Sequence, residues 1–325
     1  MENENDNNEE PFVLYSKRPE WADIEPIPQY DESKPRLITI NYAKEYTDAM
    51  DCFRAIVKKN ELSERALELT EFLIDYNPAH YYVWKYRQDI LIKLNYDLKE
   101  ELQKMEDTTL ETMKSYQIWH HRQVLVDNIN DPCDEMEFIK IVLEYDAKNY
   151  HAWAYRQWLM TRFDLFDKSE LEYIDQLLAE DIRNNSAWNQ RMFYFNNRPT
   201  ILLDVDAENE INYALEKIKI LPNNKCPWAY LKGIIKLNEK TLLDYPNLED
   251  LCLQFKDDTS TLFPLCMYYE ISEMKYYKEP TKEGYQKLLK LLKELENRDF
   301  RRVNYWTHKQ INLKAFNKQN GKSFD

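Results

Sequence analysis

The sequence predicts an all-α fold, a solenoid of antiparallel helical hairpins, and three observations carry that prediction. The tryptophans are periodic: Trp84, Trp119, Trp153, Trp188 and Trp228 stand 35, 34, 35 and 40 residues apart, and Trp306 lies 78 residues further on. Four of them open one pattern, Trp-x-x-Arg, as WKYR (Trp84 to Arg87), WHHR (Trp119 to Arg122), WAYR (Trp153 to Arg156) and WNQR (Trp188 to Arg191). Glycine, finally, occurs 3 times in 325 residues, against a usual share of about 7%. A period in the thirties marks helical hairpins that bury their apolar faces only by stacking on one another.

The elements follow in order. Residues 1–10, MENENDNNEE, carry five acids and no base, a composition that cannot offset the entropy of ordering, so a disordered acidic tail is expected. Residues 11–40 hold Pro11, Pro19, Pro26, Pro28 and Pro35, which forbid a continuous helix and point to an extended arm. That arm also carries Phe12, Tyr15, Trp21 and Ile24, too much apolar bulk for a free tail, so it should lie against the solenoid or a partner. Helical periodicity occupies 41–325. It starts near Asn41, and a second helix follows Ser63, whose hydroxyl can cap SERALELTEFLIDY. The Asn77-Pro78 step ends that helix, and the first Trp helix, HYYVWKYRQDILIKL, comes next. The order of outer helix, turn and Trp helix recurs, with start signals at Asp131-Pro132 and at Asp167, three residues before Glu170.

Within each Trp helix the position seven residues after Trp is apolar: Leu91, Val126, Met160, Phe195 and Ile235. One face is therefore buried throughout. On this reading Trp-x-x-Arg is structural, the indole filling space between hairpins and the Arg fork bonding acidic side chains or helix-end carbonyls. The later copies are worn, WAYL ending in Leu231 and WTHK in Lys309.

Composition also excludes function classes. Isolated glycines rule out a P-loop and a dinucleotide fingerprint. A net charge of −14 argues against nucleic acid, whose phosphates demand clustered Lys and Arg. Five cysteines (Cys52, Cys133, Cys226, Cys252, Cys266), odd in number and without a Cys-x-x-Cys pair, read as reduced thiols. No apolar run reaches the ~18 residues of a membrane span, and the amino terminus resembles no targeting peptide, so a cytoplasmic protein is expected. Five histidines (His80, His120, His121, His151, His308) form neither a zinc motif nor a nucleophile arrangement.

What stands out is the stretch before each Trp: PAHYYVW, MKSYQIW, AKNYHAW and RNNSAW. Repetition should stack these turns, making Tyr81, Tyr116 and Tyr150 a ladder along one edge, lined by Lys114, Gln117, Asn149 and His151. Such a rim of donors at helix amino termini could bind an anion or a peptide end. Solvated turn residues are the plain alternative.

The blocks YSKRPEWADIEPIPQYD, SYQIWHHRQVLV, DAKNYHAWAYRQW and EDIRNNSAWNQR, taken in order, resemble the alpha subunit of the protein prenyltransferases. The arm segment EWADIEPIP resembles in particular the subunit shared by protein farnesyltransferase and type I geranylgeranyltransferase. The resemblance runs from about residue 12 to the WAYLKGI stretch and then thins. It implies a right-handed alpha-alpha superhelix, crescent-shaped, wrapped around a beta subunit that holds the catalytic zinc and most of the isoprenoid pocket. The implied reaction transfers a farnesyl or geranylgeranyl group from its diphosphate to the cysteine of a C-terminal Cys-a-a-X motif, as on small GTPases, with magnesium accompanying the diphosphate. By the family's motif Lys114 reaches the diphosphate beside Tyr116, and Gln117 binds the substrate's terminal carboxylate. Tyr81, Asn149, Tyr150 and His151 match positions near the peptide or the diphosphate, while Ser115 departs from the family's more usual asparagine. Two other readings remain open: the alpha subunit of the Rab-specific geranylgeranyltransferase, and a non-catalytic tetratricopeptide-like scaffold.

Overall fold

The structure, a computed structural model, describes residues 12–30, 38, 40–255 and 257–320. The acidic tail expected over 1–10 lies outside them. The region 41–325 falls, with the arm, into two compact units, Met1–Phe163 and Asp164–Asp325. Every regular element among the described residues is helical.

The first unit holds α1 (Lys44–Lys59), α2 (Glu64–Tyr76), α3 (Tyr81–Leu94), α4 (Leu98–Lys104), α5 (Glu106–Glu111), α6 (Tyr116–Ile129), α7 (Glu135–Tyr145) and α8 (Tyr150–Phe163). After α1, three hairpins follow: α2 with α3, α4 and α5 with α6, and α7 with α8. Ser63 caps α2 as expected, its Oγ accepting the Ala66 amide at 3.3 Å. The Asp131-Pro132 signal works differently. Cys133 takes a left-handed φ of 51°, which breaks the chain's helical course, so Asp131 closes a local turn onto the Cys133 amide at 2.8 Å and α7 starts only at Glu135. A chain nearly without glycine still needs left-handed residues to stop its helices. Asparagine supplies them: Asn60, Asn95 and Asn130, at φ 53°, 53° and 57°, end α1, α3 and α6.

The arm packs on α1 and α2. Tyr15, Trp21 and Ile24 are buried, the Tyr15 ring meeting Trp21 and Phe72 edge-on at 5.5 Å each. Arg65 forks onto the Asp23 carboxylate at 2.6 and 2.9 Å, and the Asp51 carbonyl takes the Ile27 amide at 3.0 Å. The segment expected to be extended contains two 3-10 turns, Tyr15–Lys17 and Pro19–Trp21. The second opens on Pro19, whose fixed φ suits a first helical position.

The second unit holds α9 (Lys168–Glu180), α10 (Asn185–Asn197), α11 (Asp204–Ile220), α12 (Lys225–Leu237), α13 (Asn247–Phe255), α14 (Phe263–Lys278), α15 (Lys282–Arg298) and α16 (Val303–Gln319), paired in sequence into four hairpins. The box expected from Asp167 and Glu170 does not form. Asp167 caps α9 through the Ser169 amide, but Glu170 turns inward and is 2% exposed, because Gln190 Nε2 offers it a buried hydrogen bond at 2.7 Å. The worn copies keep parts of the pattern. Lys309, at the Arg position of α16, donates to Glu273 at 2.7 Å, and Leu231 is fully buried. Among the described residues no helix is long and apolar enough to cross a membrane.

The repeat chemistry is regular. Trp84, Trp119, Trp153, Trp188 and Trp228 are buried, and each indole donates to the carbonyl six residues back, of Pro78, Met113, Ala147, Ile182 and Pro222, at 2.8 to 3.1 Å. The five apolar positions after them, Leu91, Val126, Met160, Phe195 and Ile235, are buried as well. The arginines meet acidic side chains and a carbonyl, as expected of the fork, at positions that the motif does not name. Arg87 grips Glu101 at 2.6 and 2.8 Å, Arg122 grips Glu135 at 2.8 and 2.5 Å, and Arg191 grips Glu210 at 2.7 and 2.9 Å. Arg156 donates to the Met136 carbonyl at 3.1 Å.

Each such glutamate also accepts from the inner helix of its own hairpin, two residues after Trp. His121 reaches Glu101 at 3.1 Å, Tyr155 reaches Glu135 at 2.7 Å, and Tyr230 reaches Glu210 at 2.6 Å. One carboxylate thus joins the preceding inner helix, its own outer helix and its own inner helix. Burial works against the Glu101 anion, but the His121 and Arg87 hydrogen bonds outweigh it and hold that carboxyl at about 2. Burial pushes His121 below its ordinary value.

Candidate functional site

Helices α3, α6 and α8 begin at Tyr81, Tyr116 and Tyr150, and all three phenols are exposed, at 75%, 69% and 68%. Their equivalence in the repeat puts them at one edge of the first unit, where a helix amino terminus favours negative charge.

Lys114 stands just before α6, with its side chain 80% exposed and Nζ 3.8 Å from Asp146 Oδ2. An ion pair this loose and this wet contributes little, so the ammonium is free to move to a stronger anion. Across the turn, the His151 ring meets Tyr116 edge-on at 4.3 Å and Tyr150 at 5.5 Å. Partial burial pushes His151 below its ordinary value, so near neutrality it offers a neutral imidazole N–H. His151 brings Tyr116 and Tyr150 together; Lys114, two residues before Tyr116, instead lines a hollow with Thr112, Ser115, Tyr145 and Asp146, and Tyr81 sits one repeat away, at the start of α3.

Asn149, expected on the rim, is instead 3% exposed with its polar atoms committed to the fold. Its Oδ1 accepts the His151 and Ala152 amides at 2.9 and 3.1 Å, and its Nδ2 donates to the Met113 carbonyl at 3.2 Å. That carbonyl also takes the Trp119 indole. Asn149 therefore fastens the start of α8 to the residue beside Lys114. Asn224 does the same in the second unit, capping α12 through Cys226 and bonding the Ile182 carbonyl at 2.8 Å, and Asn184 caps α10.

Gln117 is half-buried and held at both ends of its amide. Its Nε2 donates to the Ala79 carbonyl at 3.0 Å, and its Oε1 accepts from Ser115 Oγ at 2.9 Å. Sequence reasoning noted Ser115 as a departure from asparagine and passed over Asp146; His80 and Arg302 depart at the same position before Trp84 and Trp306. The assembled rim can offer an ammonium, phenol and imidazole donors and one amide N–H to an anionic ligand. Among the described residues no three His, Cys, Asp or Glu side chains converge to hold a metal ion.

Comparison with known proteins bears on this rim. The family described as protein prenyltransferase alpha subunit repeat matches residues 63–94, 98–129, 132–163 and 167–198, which span the hairpins from α2 to α10. The chain is 37% identical to the Dictyostelium discoideum protein farnesyltransferase/geranylgeranyltransferase type-1 subunit alpha, over 92% of this chain and 94% of that protein. The Candida albicans protein of the same description is 34% identical over 80% of this chain and 88% of its own length. Among solved structures, Candida albicans protein geranylgeranyltransferase-I complexed with GGPP matches with a TM-score of 0.81 at 31% identity, over 94% of this chain and all of that one.

Proposed function

Since the chain belongs to the protein prenyltransferase alpha-subunit family, we propose that it is the alpha subunit of a heterodimeric transferase that moves farnesyl or geranylgeranyl from prenyl diphosphate to the cysteine of a C-terminal Cys-a-a-X motif, as on small GTPases. One observation carries the assignment of roles: the exposed Lys114 ammonium, only loosely paired with Asp146, belongs to the residue two before Tyr116, whose ring meets His151, with the tethered Gln117 amide on the same helix start.

As the substrate's sulfur bonds to C1 of the prenyl group, the C1–O bond breaks and its electron pair leaves with the diphosphate. Lys114 would meet that growing charge, and donors held ready where charge develops lower the barrier. Tyr116, Tyr81, Tyr150 and the neutral His151 would add hydrogen bonds to the diphosphate or the peptide. Gln117 would bind the peptide's terminal carboxylate through Nε2. Asn149 acts through the turn it fastens. As the family resemblance implies, we place the zinc, with the isoprenoid pocket, in the beta subunit, and magnesium with the diphosphate; a cytoplasmic setting fits these substrates.

Co-expression with a prenyltransferase beta subunit tests this reading. Labelled-prenyl transfer to a Cys-a-a-X peptide by the pair, and by neither chain alone, is expected. Transfer only when an escort protein presents the substrate would favour the Rab-specific reading. A chain inert with every beta subunit would favour the scaffold.

A further inference from the structure

We propose that α16, with the 3-10 turn Phe300–Arg302 before it, docks the protein reversibly on an anionic membrane surface. The inference goes beyond the transferase reading, which supplies only a purpose, since a prenylated product is itself bound for a bilayer. The whole sequence holds 44 Lys and Arg against 58 Asp and Glu, yet residues 300–324 hold Arg301, Arg302, Lys309, Lys314, Lys318 and Lys322 and no acid. Two of these bases are spent inside the fold: Arg302 donates to Asp299 at 2.5 Å and Lys309 to Glu273 at 2.7 Å. Lys322 lies outside the described residues. Arg301, Lys314 and Lys318 are exposed and pair with no carboxylate among the described residues.

Helix geometry puts those bases on one side. Trp306, Leu313 and Asn317 are buried and turn one stripe of α16 inward, where the Trp306 ring meets Tyr269 at 5.7 Å and Phe316 meets Tyr277 at 4.7 Å. Steps of about 100° per residue then place His308, Ile311, Ala315 and Lys318 opposite that stripe, with Lys314 on the shoulder. All five are exposed, and among the described residues no later hairpin follows to cover them. Glu296 of α15, accepting from Thr307 Oγ1 at 3.0 Å, bounds the face on one side.

The last helix of a solenoid ordinarily shows water a polar flank. This one adds apolar bulk among its bases: Phe300 is 74% exposed and Ile311 58%. The bases select an anionic partner, and the apolar side chains beside them select a bilayer over a water-soluble acid. A membrane interface takes cations at its headgroups and rings and aliphatic chains just beneath, with the lysine stems lying along the boundary. Each base near an anionic leaflet strengthens partition by about 5-fold, so three of them with two apolar side chains give a contact that forms and releases. The chain's net charge of −14 does not cancel it, because the field of remote acids is screened over about 8 Å.

The test is co-sedimentation of the full chain, alone and with its beta subunit, with phosphatidylcholine vesicles that contain or lack phosphatidylserine. Both forms should bind the anionic vesicles, leave the neutral ones, and lose the interaction as salt rises. Lys314→Gln with Lys318→Gln should weaken binding by about 10- to 30-fold, the worth of two bases. Lys44→Gln with Lys58→Gln removes the same net charge from two exposed lysines of α1 and should leave binding unchanged. Phe300→Ser with Ile311→Ser keeps every charge and should still weaken binding by about 10-fold. All the altered side chains are exposed, so melting temperatures should hold. Equal binding to neutral vesicles, or equal losses in the two lysine pairs, overturns the proposal. No loss from the apolar pair overturns it in favour of a soluble polyanion, and binding by the chain alone but not by the pair overturns it in favour of the beta subunit as what covers α16.

Discussion

Replacing Glu135 by alanine probes the joint that the repeat depends on. The Glu135 carboxylate takes two N–H bonds from Arg122 and one O–H bond from Tyr155. Arg122 is fully buried, and its other acceptors, the Leu102 carbonyl at 3.2 Å and Thr109 Oγ1 at 3.3 Å, are neutral and long. The substitution therefore leaves a whole buried charge unpaired and orphans a phenol, a situation that costs about 3 to 5 kcal/mol. At roughly 2 to 4 °C per kcal/mol for a unit of this size, the melting temperature should fall by roughly 6 to 20 °C. The assay is a thermal melt of the full chain, with Glu137→Ala as control. Glu137 pairs with Lys140 at the surface, where a loss of at most about 1 kcal/mol is expected. Arg122→Met together with Glu135→Ala removes the stranded charge, so the double variant should recover part of the loss. A Glu135→Ala melt no lower than the Glu137→Ala melt, or a double variant whose losses simply add, would refute the picture of a charge held by its partner.

Three other outcomes are expected. Lys114→Ala in the assembled heterodimer should slow single-turnover transfer by about 10- to 1000-fold, the range for one electrostatic stabiliser; an unchanged rate would remove Lys114 from the chemistry. Trp153→Ala should cost about 3 to 5 kcal/mol by emptying a buried aromatic site, and an undiminished melting temperature would show that the indole is not core. His121 titrates below its ordinary 6.5 in the folded chain, so the unfolded chain binds that proton first, and the stability present above 6.5 is lost as pH falls through that value toward the folded pKa. Glu101, lowered from 4.5 to about 2, adds a second loss across that lower window. His121→Gln, copying the Gln190 bond to Glu170, should flatten melting temperature between pH 6.5 and 4.5; an identical pH profile would exclude His121 as its source.

The tryptophan period, the buried position seven residues on and the Arg fork were all legible, because each is a residue type recurring at fixed spacing. The glutamates were not. Arg87 and Glu101 are 14 residues apart, Arg122 and Glu135 13, Arg191 and Glu210 19, so no arginine-based motif finds them. The constant interval is 20 residues, from Glu101, Glu135, Glu170 and Glu210 to His121, Tyr155, Gln190 and Tyr230, and it hides because the donors share a capacity and not an identity. Asn149 misled for a related reason. The sequence shows that an amide sits beside a turn, but whether it faces out or caps the helix is settled by the Met113 carbonyl 36 residues earlier. At the rim, Lys114 and the three phenols were foreseeable from stacking alone, whereas the hold on Gln117 depends on a contact with Ala79 that no local pattern displays.

The asymmetry of the carboxylate joint bears on how such a chain can lengthen or shorten. Arg87 needs a glutamate from whichever hairpin comes next, and that glutamate brings its own second donor with it. Excising 98–129, from the start of α4 to the end of α6, would remove Glu101, His121 and Arg122 as a set and present Arg87 with Glu135 and Tyr155. The charges still balance, and Arg87 keeps a buried carboxylate; Gln88 alone exchanges its His121 partner for a phenol. A hairpin cut anywhere between its glutamate and its arginine would strand one of them. The interchangeable module therefore has permitted seams, and a lineage that gains or loses repeats without passing through an unstable intermediate must break the chain at those places.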